Sequence, residues 1–177
     1  DQCVENFYSK QLGGRMAVDE KNNNIFFTIG DFNNETVNAS EYTKAQDENS
    51  IFGKIISIDI NTKDYSIISK GHRNPQGLFY VADKDILLST EHGPDGGDEI
   101  NNIVIGGNYG WPISSYGTHY DGYEKFINVA PLHKSHEKFG FIEPIKHFTP
   151  SIGISEIIEI PRSFLNQKKR YFLLTSL

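Results

Sequence analysis

The 177-residue sequence has one cysteine, Cys3, which excludes an internal disulfide and any cysteine-rich metal site. A lone cysteine is compatible with a reducing or an oxidising compartment. Long apolar runs are missing too: "IIEI" and "YFLL" fall far short of the ~20 residues a membrane-crossing helix needs. Positive charge is scarce, with 17 Lys and Arg against 23 Asp and Glu and a formal charge of -6. The basic residues form no run or stripe, which argues against nucleic acid as a partner. The opening "DQCVENFYSK" has no charged segment followed by an apolar stretch, so no secretory leader is visible in it. Sequons at Asn34 and Asn38 are short matches that arise often by chance and carry no weight.

What the sequence does contain is a series of short segments rich in β-branched and aromatic residues, each bounded by turn residues, which is the pattern of strands. They are "RMAVD", "IFFTIG", "KIISIDI", "YSIIS", "GLFYV", "DILLST", "EINNIVI", "SEIIEI" and "RYFLLTS"; only "SEYTKAQDEN" and "SFLNQKK" invite a short helix. The strands fall into repeating hairpins: "GGRMAVDEKNNNIFFTIGD", "GKIISIDINTKDYSIIS", "PQGLFYVADKDILLSTEHG", "GDEINNIVIGGNYGWP" and "GISEIIEIPRSFLNQKKRYFLLTSL". Two hairpins make about four strands, the size and content of a propeller blade. Propellers close with about four to eight blades, and residues 1–177 supply about two and a half. The expected fold class is therefore all-β, part of a β-propeller, with the chain a fragment of a longer protein. A complete small β-sandwich of similar strand count is the alternative.

Three segments at the expected blade rims carry chemistry. In "GHRNPQG", residues 71–77, Arg73 offers a planar fork that matches carboxylates, and Asn74 and Gln76 offer amides that donate and accept. On spacing alone, an ordinary turn with a surface arginine is the more frequent origin of such a segment than a ligand site. In "EHGPDGGDE", residues 91–99, the glycines suit tight turns and close backbone approach, and the carbonyls of Gly93 and Pro94 could face a hard cation. Glu91, Asp95, Asp98 and Glu99 supply charge, but their spacing fails the EF-hand pattern, and a solvated acidic turn is the plain alternative. "GGNYGWP" follows, with Tyr109 and Trp111 able to pack. "QLGGRMAVD", residues 11–19, reads as a turn or bulge entering the first strand.

In this order, "GHRNPQGL", "EHGPDGGDEIN" and "GGNYGWP" resemble the soluble quinoprotein glucose dehydrogenases and the related aldose and sorbosone dehydrogenases, from about Gln11 to the C-terminus. The resemblance implies a six-bladed propeller that binds pyrroloquinoline quinone (PQQ) and calcium and oxidises the C1 hydroxyl of an aldose to a lactone, passing electrons to an acceptor. It implies a periplasmic or secreted location. It places Arg73, Asn74 and Gln76 among the PQQ-binding positions, the Gly93 and Pro94 carbonyls on the cofactor's calcium, and Glu99 and Tyr109 around a second, structural calcium. The family's base is a histidine four residues before the Arg of Gly-Gly-Arg, and here that position is Gln11. A glutamine amide cannot accept a hydroxyl proton at neutral pH. The resemblance therefore leaves two expectations: a dehydrogenase in which His72, His92 or His119 substitutes, or a calcium-binding propeller that has lost catalysis. A metal-dependent lactonase propeller shares the fold class, but the "GHRNPQG" match argues against it.

Overall fold

The computed structural model describes residues 10–32, 44–122, 124–165 and 169–177; Cys3 and the two sequons lie outside them. Among the described residues eleven strands form three sheets. The first is built from β1 (Gly13–Asp19), β2 (Asn24–Ile29), β3 (Lys54–Asp59) and β4 (Tyr65–Lys70), consecutive and antiparallel, with β8 (Gly107–Asn108) added in parallel to β4. The second runs β5 (Pro75–Val81), β6 (Ile86–Glu91), β7 (Asp98–Ile103) and β9 (Lys146–Phe148), again antiparallel. The third is a hairpin of β10 (Ile154–Glu159) and β11 (Phe172–Ser176).

The hairpin turns follow from local chemistry. Asp59 ends β3 and its carboxylate accepts from the backbone N–H groups of Asn61 (2.7 Å) and Thr62 (3.0 Å), closing an Asx-type turn into β4. Asp19 does the same for Asn22 between β1 and β2. The Gly-Gly that opens β1 is part of a bulge, as the sequence suggests: the β1–β2 register shifts between Gly13 and Met16.

β5 packs on β1 on one side and on β10 on the other, so the first strands of successive sheets stand side by side. Ile55, Ile68, Leu78, Leu87, Ile103 and Tyr109 fill the space between the first two sheets, and Val81, Leu88 and Ile157 that between the second sheet and the hairpin. A smaller apolar cluster of Ala45, Trp111, Ala130 and Leu132 lies under the connecting loops.

Two departures from the sequence reading concern the second sheet. "EINNIVI" and "GGNYGWP" do not form a hairpin: Gly107–Asn108 leaves to pair with β4 of the first sheet, and the fourth strand is β9, reached after a long irregular excursion. The helices expected at "SEYTKAQDEN" and "SFLNQKK" shrink to turns around residues 44–49 and to one helical turn, Arg162–Leu165, over the described residues.

Candidate active site

The loops before β5, after β6 and after β8 meet at one end of the sheets around a cavity of about 510 Å³, lined by Gln11, Arg73, Asn74, Gly93, Trp111 and His119 among others. The opening of β5 is tied down from below. The backbone N–H of Arg73 donates to Glu91 Oε1 at the end of β6, and the other carboxylate oxygen accepts from His72 Nδ1 at 2.9 Å. His72 is fully buried, its Nε2 paired with the Ser69 hydroxyl at 2.8 Å and its ring stacked on Tyr109 with centroids 4.7 Å apart. His72 is therefore held as a structural residue and is not part of the cavity wall.

Arg73 is only 6% exposed. Its Nη1 donates to the carbonyls of His92 (3.2 Å) and Gly93, and its guanidinium lies over the Trp111 ring at 5.4 Å. Its Nε is buried and has no hydrogen-bond partner among the described residues. Such an orphan charged donor is costly unless an anionic ligand meets it.

Hydrogen bonding orients the Gln11 amide so that its nitrogen donates to Asp31 Oδ1 (2.7 Å) and its oxygen accepts from Arg73 Nη2 (2.8 Å). Asp31, buried just past β2, takes the Trp111 indole N–H on its other oxygen at 2.6 Å. Gln11, Arg73, Asp31 and Trp111 thus form one network drawn from four separate segments.

Of the other expected cofactor positions, Asn74 lies on the cavity wall and Gln76 does not. The Gln76 amide donates to Asn74 Oδ1 at 3.0 Å, and the same oxygen accepts from the Gly13 N–H at 3.2 Å. Gly93 and Pro94 both line the cavity; in this structure their carbonyls accept from Arg73 and from the Tyr120 hydroxyl (3.0 Å).

The acidic residues of "EHGPDGGDE" have separate tasks. Glu91 fixes His72 and Arg73, and Asp95 is exposed. Asp98 is buried and saturated with donors: Gly93 N–H (3.1 Å), Ser151 Oγ (2.6 Å), Ile152 N–H (3.0 Å) and Ile154 N–H (3.1 Å). Burial pushes its carboxyl up, but these hydrogen bonds more than offset that and hold it below the ordinary aspartate value. Among the described residues no group of three or more His, Cys, Asp or Glu side chains gathers to hold a metal.

Glu99 sits deeper, beside Asn101 Nδ2 (3.2 Å) and His136 Nε2 (3.5 Å). Burial, reinforced by the nearby Glu91, pushes its carboxyl well above the ordinary glutamate value. It borders a void of about 10 Å³ shared with Glu91, Ser114 and His136. The Tyr109 side chain is committed to the core, donating to Asn102 O (2.6 Å) and accepting from Val104 N–H (2.8 Å).

The glycines allow two loops to lie backbone on backbone. Gly97 has φ +71°, and a Cβ there would stand 2.1 Å from the Gly117 nitrogen; one at Gly93 would stand 2.1 Å from Gly96 O. An antiparallel bridge between Asp95 and Thr118 completes this contact.

A family model described as Glucose / Sorbosone dehydrogenase matches residues 3–177. The chain belongs to this family. An aldose sugar dehydrogenase of Escherichia coli is 33% identical over 151 residues, which is 81% of this chain and 39% of that protein. The solved apo form of the soluble aldose sugar dehydrogenase from Escherichia coli matches with a TM-score of 0.69 at 28% identity, covering 90% of this chain and 47% of that one. The PQQ-bound form of aldose sugar dehydrogenase from Streptomyces coelicolor matches with a TM-score of 0.57 at 28% identity, covering 82% and 38%. The chain thus spans less than half the length of each of these relatives. The five-stranded sheet, the four-stranded sheet and the hairpin of this member of the glucose/sorbosone dehydrogenase family are accordingly two blades and the first half of a third in a β-propeller.

Sequence reasoning passed over Asp31 as a site residue and treated Trp111 only as packing. Asp31 follows β2 in "TIGD", an acid just past a strand end, and that position was a usable signal.

Proposed function

We propose that the intact protein is a PQQ- and calcium-dependent aldose dehydrogenase that oxidises the sugar C1 hydroxyl to a lactone. The observation that carries this reading is Arg73: a buried guanidinium, steadied by Trp111, with an unpartnered Nε beside a cavity of about 510 Å³. A flat tricarboxylate suits such a group, because arginine matches carboxylates bidentately. When bound, PQQ supplies the two-electron acceptor for the sugar hydride. Arg73 and Asn74 would hold its polar edge, with Gln76 orienting the Asn74 amide. The Gly93 and Pro94 carbonyls are oxygen donors of the kind a hard cation takes, and they would hold the cofactor's calcium once Arg73 turns to the cofactor.

A second cation beside Glu99 also fits the donor chemistry. Asn101 Oδ1 and Ser114 Oγ are buried there without partners among the described residues, next to the Glu99 carboxyl, whose charged form burial and Glu91 disfavour and a cation would restore. Tyr109 would contribute by its place on the loop, since its phenol is already bonded to the main chain.

We further propose that residues 1–177 are part of a longer propeller domain in a periplasmic or secreted protein. Support comes from the share of the relatives that the chain spans and from apolar side chains left exposed on β1. A reading in which catalysis is lost and only binding remains has one observation in its favour: both ends of the Gln11 amide are engaged, and neither accepts a proton.

The test is equilibrium binding of PQQ to the intact protein with and without calcium. Micromolar or tighter binding that is lost on chelation supports the proposal, and no detectable binding at micromolar PQQ contradicts it.

A further inference from the structure

The family's base position holds an amide, so a proton acceptor must be sought elsewhere on the cavity wall. Besides Arg73, the ionisable wall residues are Lys10, His92, Asp95, His119 and Tyr120. Lys10 and Arg73 are cationic side chains. The Tyr120 hydroxyl donates to Pro94 O, and Asp95 is exposed. Two imidazoles remain, and the structure treats them differently. His92 is tied by its main chain, its N–H donating to Asn74 O at 3.1 Å and its carbonyl accepting from Arg73 Nη1 at 3.2 Å, and among the described residues no hydrogen bond fixes the tautomer of its ring.

His119 is held on three sides. The residue before it, Thr118, exchanges backbone hydrogen bonds with Asp95 at 3.0 and 2.9 Å, and the residue after it, Tyr120, reaches Pro94 O. Its own Nε2 lies 2.7 Å from Ala130 O. A carbonyl oxygen only accepts, so Nε2 must carry the proton and Nδ1 is left as the basic nitrogen of the neutral ring. Lys134, whose Nζ donates to Gly117 O, and Asp121, next along the chain, are the other charged groups nearby in the fold and in sequence.

We infer that His119, through Nδ1, is the proton acceptor for the sugar hydroxyl, in place of the histidine absent at Gln11. The inference rests on the PQQ-dependent reading above. In the step, the O1–H bond breaks and its proton passes to Nδ1. The C1–H bond breaks with its electron pair, which goes as hydride to the quinone, and C1–O1 becomes a carbonyl. The sugar loses two electrons and the quinone gains them.

The first arm of the test needs no cofactor. Side-chain nitrogen NMR of the intact protein should find neutral His119 as the Nε2–H tautomer; an Nδ1–H tautomer overturns the inference. The second arm uses His119→Gln, which keeps an amide donor for Ala130 O. PQQ affinity should stay within about threefold, while the single-turnover rate of aldose oxidation falls about 10²–10⁴-fold. Added imidazole should restore part of the rate. A variant that binds PQQ and reacts at the wild-type rate, or a loss found instead in His92→Gln alone, overturns the role of His119 and leaves the dehydrogenase reading standing. A wild-type protein that binds no PQQ overturns both.

Discussion

Arg73 and Asp98 show at the level of single residues how the site is made. Arg73 presents a fork whose Nη1, Nη2 and backbone N–H are used by the protein and whose Nε is left over. Lysine at this position keeps the charge but loses the planar fork and the stack on Trp111. Arg73→Lys should weaken PQQ binding by about 10- to 100-fold with little change in unfolding midpoint, measured by cofactor titration beside a denaturant melt. Asp98 ties the loop after β6 to the start of β10 by accepting from Gly93, Ser151, Ile152 and Ile154. Its folded-state value lies below the unfolded one, so its contribution is present above the unfolded value and is lost as pH falls through the folded value. Asp98→Asn should cost about 2–3 kcal/mol at pH 7. That difference should shrink below about pH 4, near the unfolded aspartate value, when stability is followed across an acid series.

At the scale of elements, a buried lysine holds a loop that supports the site. Lys54 begins β3 with no exposure, and its Nζ donates to the carbonyls of Lys44 (2.9 Å), Ala45 (3.1 Å) and Phe52 (2.8 Å). The loop so anchored carries Gln46, which bonds Trp111 O at 2.7 Å and exchanges amide hydrogen bonds with Asn108. Burial lowers the Lys54 ammonium to about 8. Because the unfolded chain then binds more protons between about pH 8 and the ordinary lysine value of about 10.4, Lys54 makes stability rise with pH across that window. Lys54→Met should abolish that rise and cost about 2–4 kcal/mol at pH 7 by stranding buried carbonyls, as read from denaturant midpoints at several pH values.

The same scale shows what could be read in advance. All nine strand segments identified by alternation and turn residues are strands, because each hairpin carries its own pattern, and two of them are closed by Asx-type turns at Asp19 and Asp59. β8 and β9 were not legible: they span two and three residues, and what creates them is a partner strand far away in sequence. The site divides in the same way. Arg73, Asn74, Gly93 and Pro94 belong to short motifs and were found, whereas the links from Gln11 to Asp31 and from Asp31 to Trp111 depend on how the loops fold back over the cavity.

For the whole molecule, the three sheets stand in sequence around β1, β5 and β10, and both outer flanks are apolar and open. Met16 and Val18 are 61% and 52% exposed on β1, and Ile158 and Leu173 are 45% and 50% exposed on the β10–β11 hairpin. Neighbouring blades would cover such faces. Residues 1–177 expressed alone should therefore associate with rising concentration in sedimentation velocity runs; a monomeric segment with a cooperative unfolding transition contradicts the longer-propeller proposal. The central claim, that this cavity oxidises a sugar through PQQ, is tested most directly by loading the intact, calcium-saturated protein with PQQ without oxygen and adding aldoses while recording quinone absorbance. The predicted result is loss of the oxidised quinone band in proportion to bound cofactor, with lactone formed in equal amount. A bound quinone that stays oxidised with every aldose contradicts the claim and leaves a propeller that only binds.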